Sequence, residues 1–555
     1  MSMRKSDLVL RKDPIRLEVY KHIFAAVAEE MGVILRKASF SPNIKERRDF
    51  SCALFDSEGR MIAQAAHIPV HLGSMPLSVL AAINKYNHND SEIIRPGDTI
   101  VLNDPFLGGT HLPDITMVTP VFIDNEEISS NIGTGDEASL ITISKPFAFV
   151  ASRAHHADVG GITPGSMPIA REIYQEGLII PPIKLVSQGQ INQDILNLIT
   201  ANVRTPDERC GDLTAQIAAN QRGVARLQEI ITHYGHSEVK QYMAELISYT
   251  ERITRQLLRS IPDGTYTFID YMDNDGIGDL EIPIKATIII DDDEATVDFT
   301  GSAPQQKGSI NAVYAITLSA VNYVFRCLIG LDVPNNSGCL IPIHIIAPEG
   351  TIVNALHPAP VAGGNVETSQ RIVDVLLGAL AQSSPGSVPA ASQGTMNNIT
   401  IGGWDTFRHR VFTYYETIGG GTGASTNDNG ISAIHSHMTN TLNTPIEALE
   451  YSYPIQIVRY EVRQGSGGKG IHSGGEGIIR DLKLLTDAQV TILSERRATF
   501  PYGLDGGEAG QRGENVLIHD QKEIHLPGKG SFDVQAGDII SIRTPGGGGY
   551  GRRNE

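Results

Sequence analysis

The pattern of apolar and polar positions predicts helices and strands in mixed order along the first part of the chain. From residue 14 to 38, apolar residues recur every three or four positions, the spacing of one buried helix face. The alternating block 49–63 predicts a β-hairpin with a short polar turn. A second helix is expected over 74–86, and buried strands are expected at 99–102 and 115–122.

The strongest helical pattern lies in the middle of the chain. Apolar stripes of helical period over 213–233 and 238–261 predict two long helices. Gly235 fits the end of the first helix, and Ser237 fits the N-cap of the second. After a Pro-Asp-Gly boundary at 262–264, the pattern predicts short strands and then two more helices, at 266–270, 280–290, 295–299, 312–330 and 366–382.

From about residue 398 to the end, strand-like runs alternate with glycine-rich turns that have no helical period. We therefore predict an α+β, multi-domain fold with a helical middle region and a β-rich, glycine-rich C-terminal portion. The expected divisions are an N-terminal α/β domain with a candidate metal site, a helical hairpin, an α/β domain and a β-rich C-terminal domain, at 1–212, 213–262, 263–397 and 398–555.

Composition narrows the classes of partner. A chain of 555 residues is long enough for several domains. Its formal net charge of −18, with no basic run longer than 45–48, argues against binding to nucleic acid or anionic lipid. Four scattered cysteines without a CxxC pair indicate reduced thiols. With no secretory signal and no apolar run of membrane-spanning length, we expect a cytoplasmic protein.

The densest candidate chemistry lies in two polar segments, 103–114 and 152–161. The first contains His111 and Asp114, and the second contains the pair His155-His156 followed by Asp158. Each segment carries a Gly-Gly pair that lets backbone approach a ligand closely. Two imidazoles and one carboxylate form an open site for Zn²⁺, Mn²⁺ or Fe²⁺. Histidines that only form structural hydrogen bonds, in loops that never meet, are the alternative.

Two further histidine pairs have open roles. His67 and His71 are four residues apart, but Pro69 between them argues against one helix face; they either contact substrate or hydrogen-bond the backbone of a loop. In an extended strand, the side chains of His435 and His437 would share one face. They would then form a polar pocket wall, or supply a further ligand or acid–base group.

The segment 465–470 matches the pattern GxGxxG without its structural context. A dinucleotide-binding loop needs a following helix, and the glycine-rich residues after 470 predict none. Lys469 is not followed by Ser or Thr, so a phosphate-binding P-loop is also excluded. We interpret the segment as a turn between strands and expect no ATP site in this chain.

Long motifs spread over nearly the whole chain resemble the hydantoinase B family, which includes the acetone carboxylase alpha subunit and the C-terminal half of ATP-dependent 5-oxoprolinase. The segments that carry the resemblance are 43–52, 67–75, 103–114, 153–161, 204–209, 363–371 and 544–551. One departure is the connection from 122 to 149, which is longer than the short hairpin of the family.

The resemblance implies a divalent metal, Mn²⁺ or Zn²⁺, bound by His111, Asp114 and His155. It also implies a larger hydantoinase A-type partner that binds most of the ATP, in an α₂β₂ assembly. We further expect His156 or Asp158, which are adjacent to the ligands, to orient a ligand or to act as catalytic acid–base groups.

The implied function is an ATP-dependent amidohydrolase. The partner phosphorylates the carbonyl oxygen of a lactam, hydantoin or 5-oxoproline-like ring, and the B-type subunit completes ring opening at its metal. Two alternatives stay open: a subunit of an ATP-dependent ketone carboxylase of the acetone or acetophenone type, and a non-catalytic scaffold for the partner.

Overall fold

The N-terminal part of the chain forms a seven-stranded antiparallel sheet, in the order β2-β1-β5-β4-β3-β6-β7. The computed structural model describes residues 13–65, 68–87, 93–123, 145–278, 280–330, 332–383, 386 and 388–553. The strands are β1 (Phe50–Asp56), β2 (Met61–Gln64), β3 (Thr99–Leu102), β4 (Asp114–Val121), β5 (Ala148–His155), β6 (Ile183–Ser187) and β7 (Gln190–Ile191). The predicted hairpin and both predicted buried strands are confirmed; most of the long 122–149 connection lies outside the described residues.

Helices cover both faces of this sheet. They are α1 (Pro14–Ala38), α2 (Pro42–Lys45), α3 (Met75–Asn87), α4 (Gln193–Ala201), α5 (Pro206–Tyr234) and α6 (His236–Ser260). In β1, Cys52 and Leu54 share a core with α1 and α5, while Ala53 and Phe55 share a core with α3. Side chains alternate along a strand, so a sheet covered on both faces buries every residue of β1.

The two long central helices differ from the prediction at their junction. Helix α5 begins at Pro206, before the predicted start at residue 213. Its first turns bury an ion pair, Arg209–Asp212 at 3.0 Å, instead of apolar residues. Gly235 alone links α5 to α6 and is the N-cap of α6, so Ser237 lies inside the second helix and does not cap it.

A four-stranded sheet, in the order β11-β10-β9-β8, follows the central helices. Its strands are β8 (Gly264–Asn274), β9 (Leu280–Asp291), β10 (Glu294–Asp298) and β11 (Ile343–Ile346). Helix α7 (Tyr314–Ile329) and helix α8 (Ser369–Leu380) share its apolar core. Helix α8 is preceded by a single π-helical turn, Gly364–Thr368, whose residues are all buried.

The C-terminal portion consists of two packed antiparallel sheets, in the orders β13-β12-β16-β19 and β14-β15-β20-β17-β18. It contains the short helix α9 (Ile446–Ser452) and the strands β12 (Asn398–Asp405), β13 (Arg410–Glu416), β14 (Ile455–Arg463), β15 (Gly477–Leu484), β16 (Ala488–Leu493), β17 (Glu514–His519), β18 (Lys522–Leu526), β19 (Lys529–Val534) and β20 (Ile539–Arg543). The α+β, multi-domain architecture is confirmed, whereas the exact domain boundaries stay a prediction. None of the described helices is long and apolar enough to cross a lipid bilayer.

Glycine-rich segments outside these sheets pack backbone against backbone. Gly421 N–H donates to the carbonyl of Pro545 at 3.1 Å, Gly475 N–H to Thr422 at 2.9 Å, and Gly547 N–H to Gly475 at 2.9 Å. A Cβ atom built on Gly421 would lie 1.8 Å from the Gly475 carbonyl oxygen. The high glycine content therefore permits chains to approach more closely than side chains would allow.

We expect Gly421→Ala to lower the free energy of unfolding by about 1–3 kcal/mol, because rigid backbone must move to admit the methyl group. The matched control is Gly278→Ala, since a Cβ atom on Gly278 meets no atom within 4 Å. Thermal denaturation of both variants checks this. Equal midpoints for the two variants would contradict the close-packing account.

Candidate metal centre

Sheet register brings two of the predicted ligands together. Asp114 is the first residue of β4 and His155 the last of β5, and the two residues are direct partners in this antiparallel pair. His111 lies one turn before Asp114, whose backbone N–H donates to the His111 carbonyl at 3.1 Å. Two segments that are distant in sequence therefore meet at one edge of the sheet.

The three side chains form a compact, buried donor set. Asp114 Oδ2 lies 3.2 Å from His111 Nδ1, and Asp114 Oδ1 lies 3.2 Å from His155 Nδ1. One potential ligand atom from each residue lies within 4.8 Å of the other two. His155 Nε2 is buried and makes no hydrogen bond to any described residue. Buried polar atoms are normally paired, and two imidazoles with a carboxylate are a donor set for a divalent transition metal.

A third imidazole joins the cluster. His71 Nε2 lies 3.3 Å from Asp114 Oδ2, and His71 Nδ1 lies 2.9 Å from Ser51 Oγ. Thr110 Oγ1 donates to Asp114 Oδ2 at 2.6 Å. The structure therefore places the side chain of His71 beside the candidate ligands. His67 lies outside the described residues.

The electrostatics of the cluster favour a bound cation. Burial acts to raise the pKa of Asp114, but the neighbouring imidazoles, His111 and His71 foremost, hold it well below its ordinary value. Burial is also the main reason that the pKa of His71 and that of His155 are lowered. An ionised carboxylate among neutral imidazoles is the protonation state in which these groups bind metal.

His71, Asp114 and His155 line a small cavity of about 20 Å³, room for roughly one ion or water molecule. Tyr415 stacks on the His155 ring, with centroids 4.4 Å apart and planes 20° apart. The Arg47 guanidinium carbon lies 4.8 Å from the Tyr415 ring centroid in a cation–π contact. The Tyr415 hydroxyl donates to Asn398 Oδ1 at 2.9 Å. This stack holds the His155 ring in place.

Reasoning from the sequence missed two polar residues of this cavity, Asp49 and Asn365. Burial raises the pKa of Asp49, while the charges of His155 and Arg47 oppose that rise. Asn365 Nδ2 lies 3.5 Å from His111 Nε2 and belongs to the buried π-helical turn, an element that often marks functional sites. Both residues fall in segments that carry the family resemblance, which was the available signal.

The two predicted catalytic residues point away from the donor set. His156 follows His155 on the chain, so its side chain lies on the opposite face, where Nε2 contacts Gln216 Oε1 at 2.9 Å. Asp158 accepts hydrogen bonds from Arg204, from the backbone N–H at 2.8 Å and from Nη1 at 2.9 Å. These contacts suit residues that position the loop after β5. Acid–base catalysis by either residue stays a prediction.

The remaining sequence candidates have separate surroundings. Residues 435–437 do not form the extended strand in which His435 and His437 would share one face, and His437 has a left-handed backbone with φ of 57°. Its Nδ1 lies 3.4 Å from the Tyr323 hydroxyl, and His435 is partly buried with its pKa lowered to about 4, mainly by burial. The segment 465–470 is a loop between β14 and β15, which confirms its interpretation as a turn between strands.

A buried cluster of histidine and carboxylate on an α+β scaffold defines a candidate metalloprotein. The model of the hydantoinase B/oxoprolinase family matches residues 13–553. The chain therefore belongs to that family.

Sequence relatives support the same assignment. An uncharacterized protein of Methanocaldococcus jannaschii is 45% identical, over 97% of this chain and 91% of that protein. 5-Oxoprolinase 1 of Arabidopsis thaliana is 42% identical over 97% of this chain, which spans only 42% of that protein. The B component of a putative D-/L-hydantoinase of Pseudomonas sp. is 33% identical, over 99% of this chain and 92% of that protein.

Two solved structures share the fold. The ATP-dependent caprolactamase of Pseudomonas jessenii superposes with a TM-score of 0.86 and 31% identity, over 97% of this chain and 91% of that chain. A nucleotide-free acetone carboxylase gives a TM-score of 0.88 at 18% identity, over 99% of this chain and 78% of that chain. At this low identity, the similarity to acetone carboxylase shows a shared fold and nothing about function.

A buried carboxyl group supports the loop that leads to Asn365. Glu176 Oε1 accepts the backbone N–H groups of Val361 at 2.8 Å and Ala362 at 3.0 Å. Glu176 is fully buried, and burial raises its pKa from 4.5 to about 8. The folded protein therefore keeps a proton there that the unfolded chain releases near pH 4.5.

Because the folded chain holds the extra proton, this group makes stability fall as pH rises from about 4.5 to about 8. The Glu176→Gln variant keeps an oxygen that can accept the two backbone hydrogen bonds, and its amide group does not titrate in this pH range. We expect the thermal midpoint of the variant to improve relative to wild type between pH 5 and pH 8. Exposed Glu349→Gln serves as the control, and a pH-independent difference for Glu176→Gln would refute the linkage.

Proposed function

We propose that this chain is the metal-binding subunit of an ATP-dependent enzyme that hydrolyses a cyclic amide. The observation that carries the proposal is the convergence of His111, Asp114 and His155 in one buried cluster, whose ligand atoms lie within 4.8 Å of one another. The names of its relatives, which include 5-oxoprolinase, a putative D-/L-hydantoinase and ATP-dependent caprolactamase, support a lactam or hydantoin ring as substrate.

The donor set suits Mn²⁺ or Zn²⁺, because both accept imidazole nitrogen together with carboxylate oxygen. When bound, such an ion supplies Lewis-acid polarisation of a carbonyl oxygen and lowers the pKa of a water molecule. His111, Asp114 and His155 would hold it. His71 would orient Asp114 through its contact with Oδ2.

The reaction balances with two water molecules. A lactam carbonyl is a poor electrophile because its nitrogen donates electrons into it. Transfer of the γ-phosphoryl group of ATP to the carbonyl oxygen, with loss of the N–H proton, forms an imidate phosphate and ADP. Water then adds to the ring carbon and the C–N bond breaks, with the amine taking up a proton. A second water hydrolyses the resulting acyl phosphate to the carboxylate and phosphate.

Residues of this chain have defined tasks in the hydrolytic steps. Asp49 lines the cavity as a carboxylate whose pKa is raised by burial, so it is suited to accept a proton from the attacking water. Asn365 Nδ2 presents a donor on the same wall.

ATP binding belongs, in this proposal, to a hydantoinase A-type partner in an α₂β₂ assembly in the cytoplasm. This chain spans less than half of 5-oxoprolinase 1, which leaves a large remaining portion for a nucleotide-binding function. This chain covers 91% of the matched chain of the ATP-dependent caprolactamase. We propose that the nucleotide site belongs to the partner.

We expect His111→Ala, Asp114→Ala and His155→Ala each to lose the bound metal and at least about 100-fold in ATP-coupled ring opening. His344→Ala is the matched control, because His344 is exposed on β11. Elemental analysis and amino-acid product assays on the reconstituted complex measure both effects. Full turnover in a metal-free variant would mean that the chain is only a scaffold.

Labelled bicarbonate separates hydrolase from carboxylase in the same complex. The proposal predicts a ring-opened product without label. Label retained in a carboxylated product would overturn it in favour of the ketone carboxylase.

A further inference from the structure

The metal cavity has no room for an organic ring. Its volume of about 20 Å³ accommodates roughly one water molecule or ion. A substrate must therefore enter from a larger cavity, and two open cavities of the described surface are candidates. Their lining residues decide between them.

The larger candidate is a groove of about 890 Å³, lined by residues that include Leu77, Phe106 and Leu356. It has no lining residue in common with the metal cavity. The smaller candidate, of about 300 Å³, shares Ile68 with the metal cavity. We call this smaller cavity the vestibule; it is lined by Glu29, Arg36, Arg48, Ile68, Asn440 and Leu442, among others.

Two chain segments form the wall between the vestibule and the metal cavity. In the first, Asp49 faces the metal cavity while Arg48 faces the vestibule. In the second, Thr441 faces the metal cavity while Asn440 and Leu442 face the vestibule. Neighbouring residues of each segment thus line opposite sides of the wall.

The vestibule presents two cationic side chains. Arg36 and Arg48 are exposed, and neither forms an ion pair with any described residue. Glu29 also lines the vestibule, which leaves one net positive charge on its wall. Arg48 has a left-handed backbone with φ of 57°, a conformation that is costly for a residue with a side chain. Against a formal net charge of −18, this local cationic character favours an anionic ligand.

We propose that the vestibule is the entrance to the metal centre and that Arg36 and Arg48 bind the phosphoryl group of the activated substrate. This inference rests on the proposed function, in which a phosphorylated intermediate moves from the partner to this chain. Guanidinium groups are well suited to phosphate because they donate several hydrogen bonds in a planar array. Ile68 forms the threshold between the two spaces.

The first experiment removes the two charges in the reconstituted complex. Arg36→Ala and Arg48→Ala each lower kcat/KM for ring opening by about tenfold, while metal content is unchanged and more ATP is hydrolysed per ring opened. Arg→Lys at either position recovers part of the loss. The control is Lys85→Ala, which removes an exposed charge in the larger groove. Arginine variants that match this control in turnover and in ATP coupling would overturn the inference.

The second experiment needs no turnover and uses EDTA as an anionic probe of the entrance. Ile68→Ala speeds metal release to EDTA several-fold, and inorganic phosphate slows release in wild type but not in Arg36→Ala/Arg48→Ala. Leu356→Trp, in the larger groove, leaves the rate unchanged. Slower release in Leu356→Trp, or equal phosphate sensitivity in the double variant, would overturn the inference. If wild type opened no ring, the proposed function would fail while this assay still tested the entrance.

Discussion

The structure depends on one buried carboxylate. Asp114 contacts three imidazoles, those of His71, His111 and His155, while almost no part of it reaches solvent. A buried anion is costly unless it is paired or coordinates a metal. Burial lowers the pKa of His71 and that of His155, and these two imidazoles contact the carboxylate without cancelling its charge, so the cluster retains a net attraction for a divalent ion.

The surrounding fold keeps these donors in place. Strands β4 and β5 are central in the seven-stranded sheet and are covered on both faces, so the register of Asp114 against His155 is firmly set. Tyr415 reaches the site from β13 of the C-terminal portion and stacks on His155. The site therefore needs segments from distant parts of the chain, and the closely packed glycine segments help to hold those parts together.

Reasoning from the sequence recovered the elements with regular patterns. The first helix, the hairpin and the paired strands followed from apolar spacing alone. The first turns of α5 did not, because Arg209 and Asp212 bury an ion pair there that resembles a polar surface in the sequence. Residues 435–437 did not form a strand, since the left-handed conformation of His437 depends on tertiary contacts.

The donor set depended on a different kind of signal. The residue types in the two polar segments indicated a three-ligand site as one of two interpretations, because no local pattern reveals whether two loops meet. The family resemblance then specified His111, Asp114 and His155 as the ligands. The contacts of His71, Asn365 and Tyr415 with the cluster depend on sheet register and packing, which one-dimensional patterns do not encode. Conversely, adjacency favoured His156, whereas strand alternation turns its side chain toward Gln216.

X-ray absorption spectroscopy at the edge of the bound metal tests the central claim most directly. We expect a first shell of imidazole nitrogen and carboxylate oxygen at about 2.0–2.2 Å, with two imidazoles contributing to the outer-shell scattering. A first shell containing sulfur, or one of oxygen alone without imidazole scattering, would show that the metal lies elsewhere and would contradict the account.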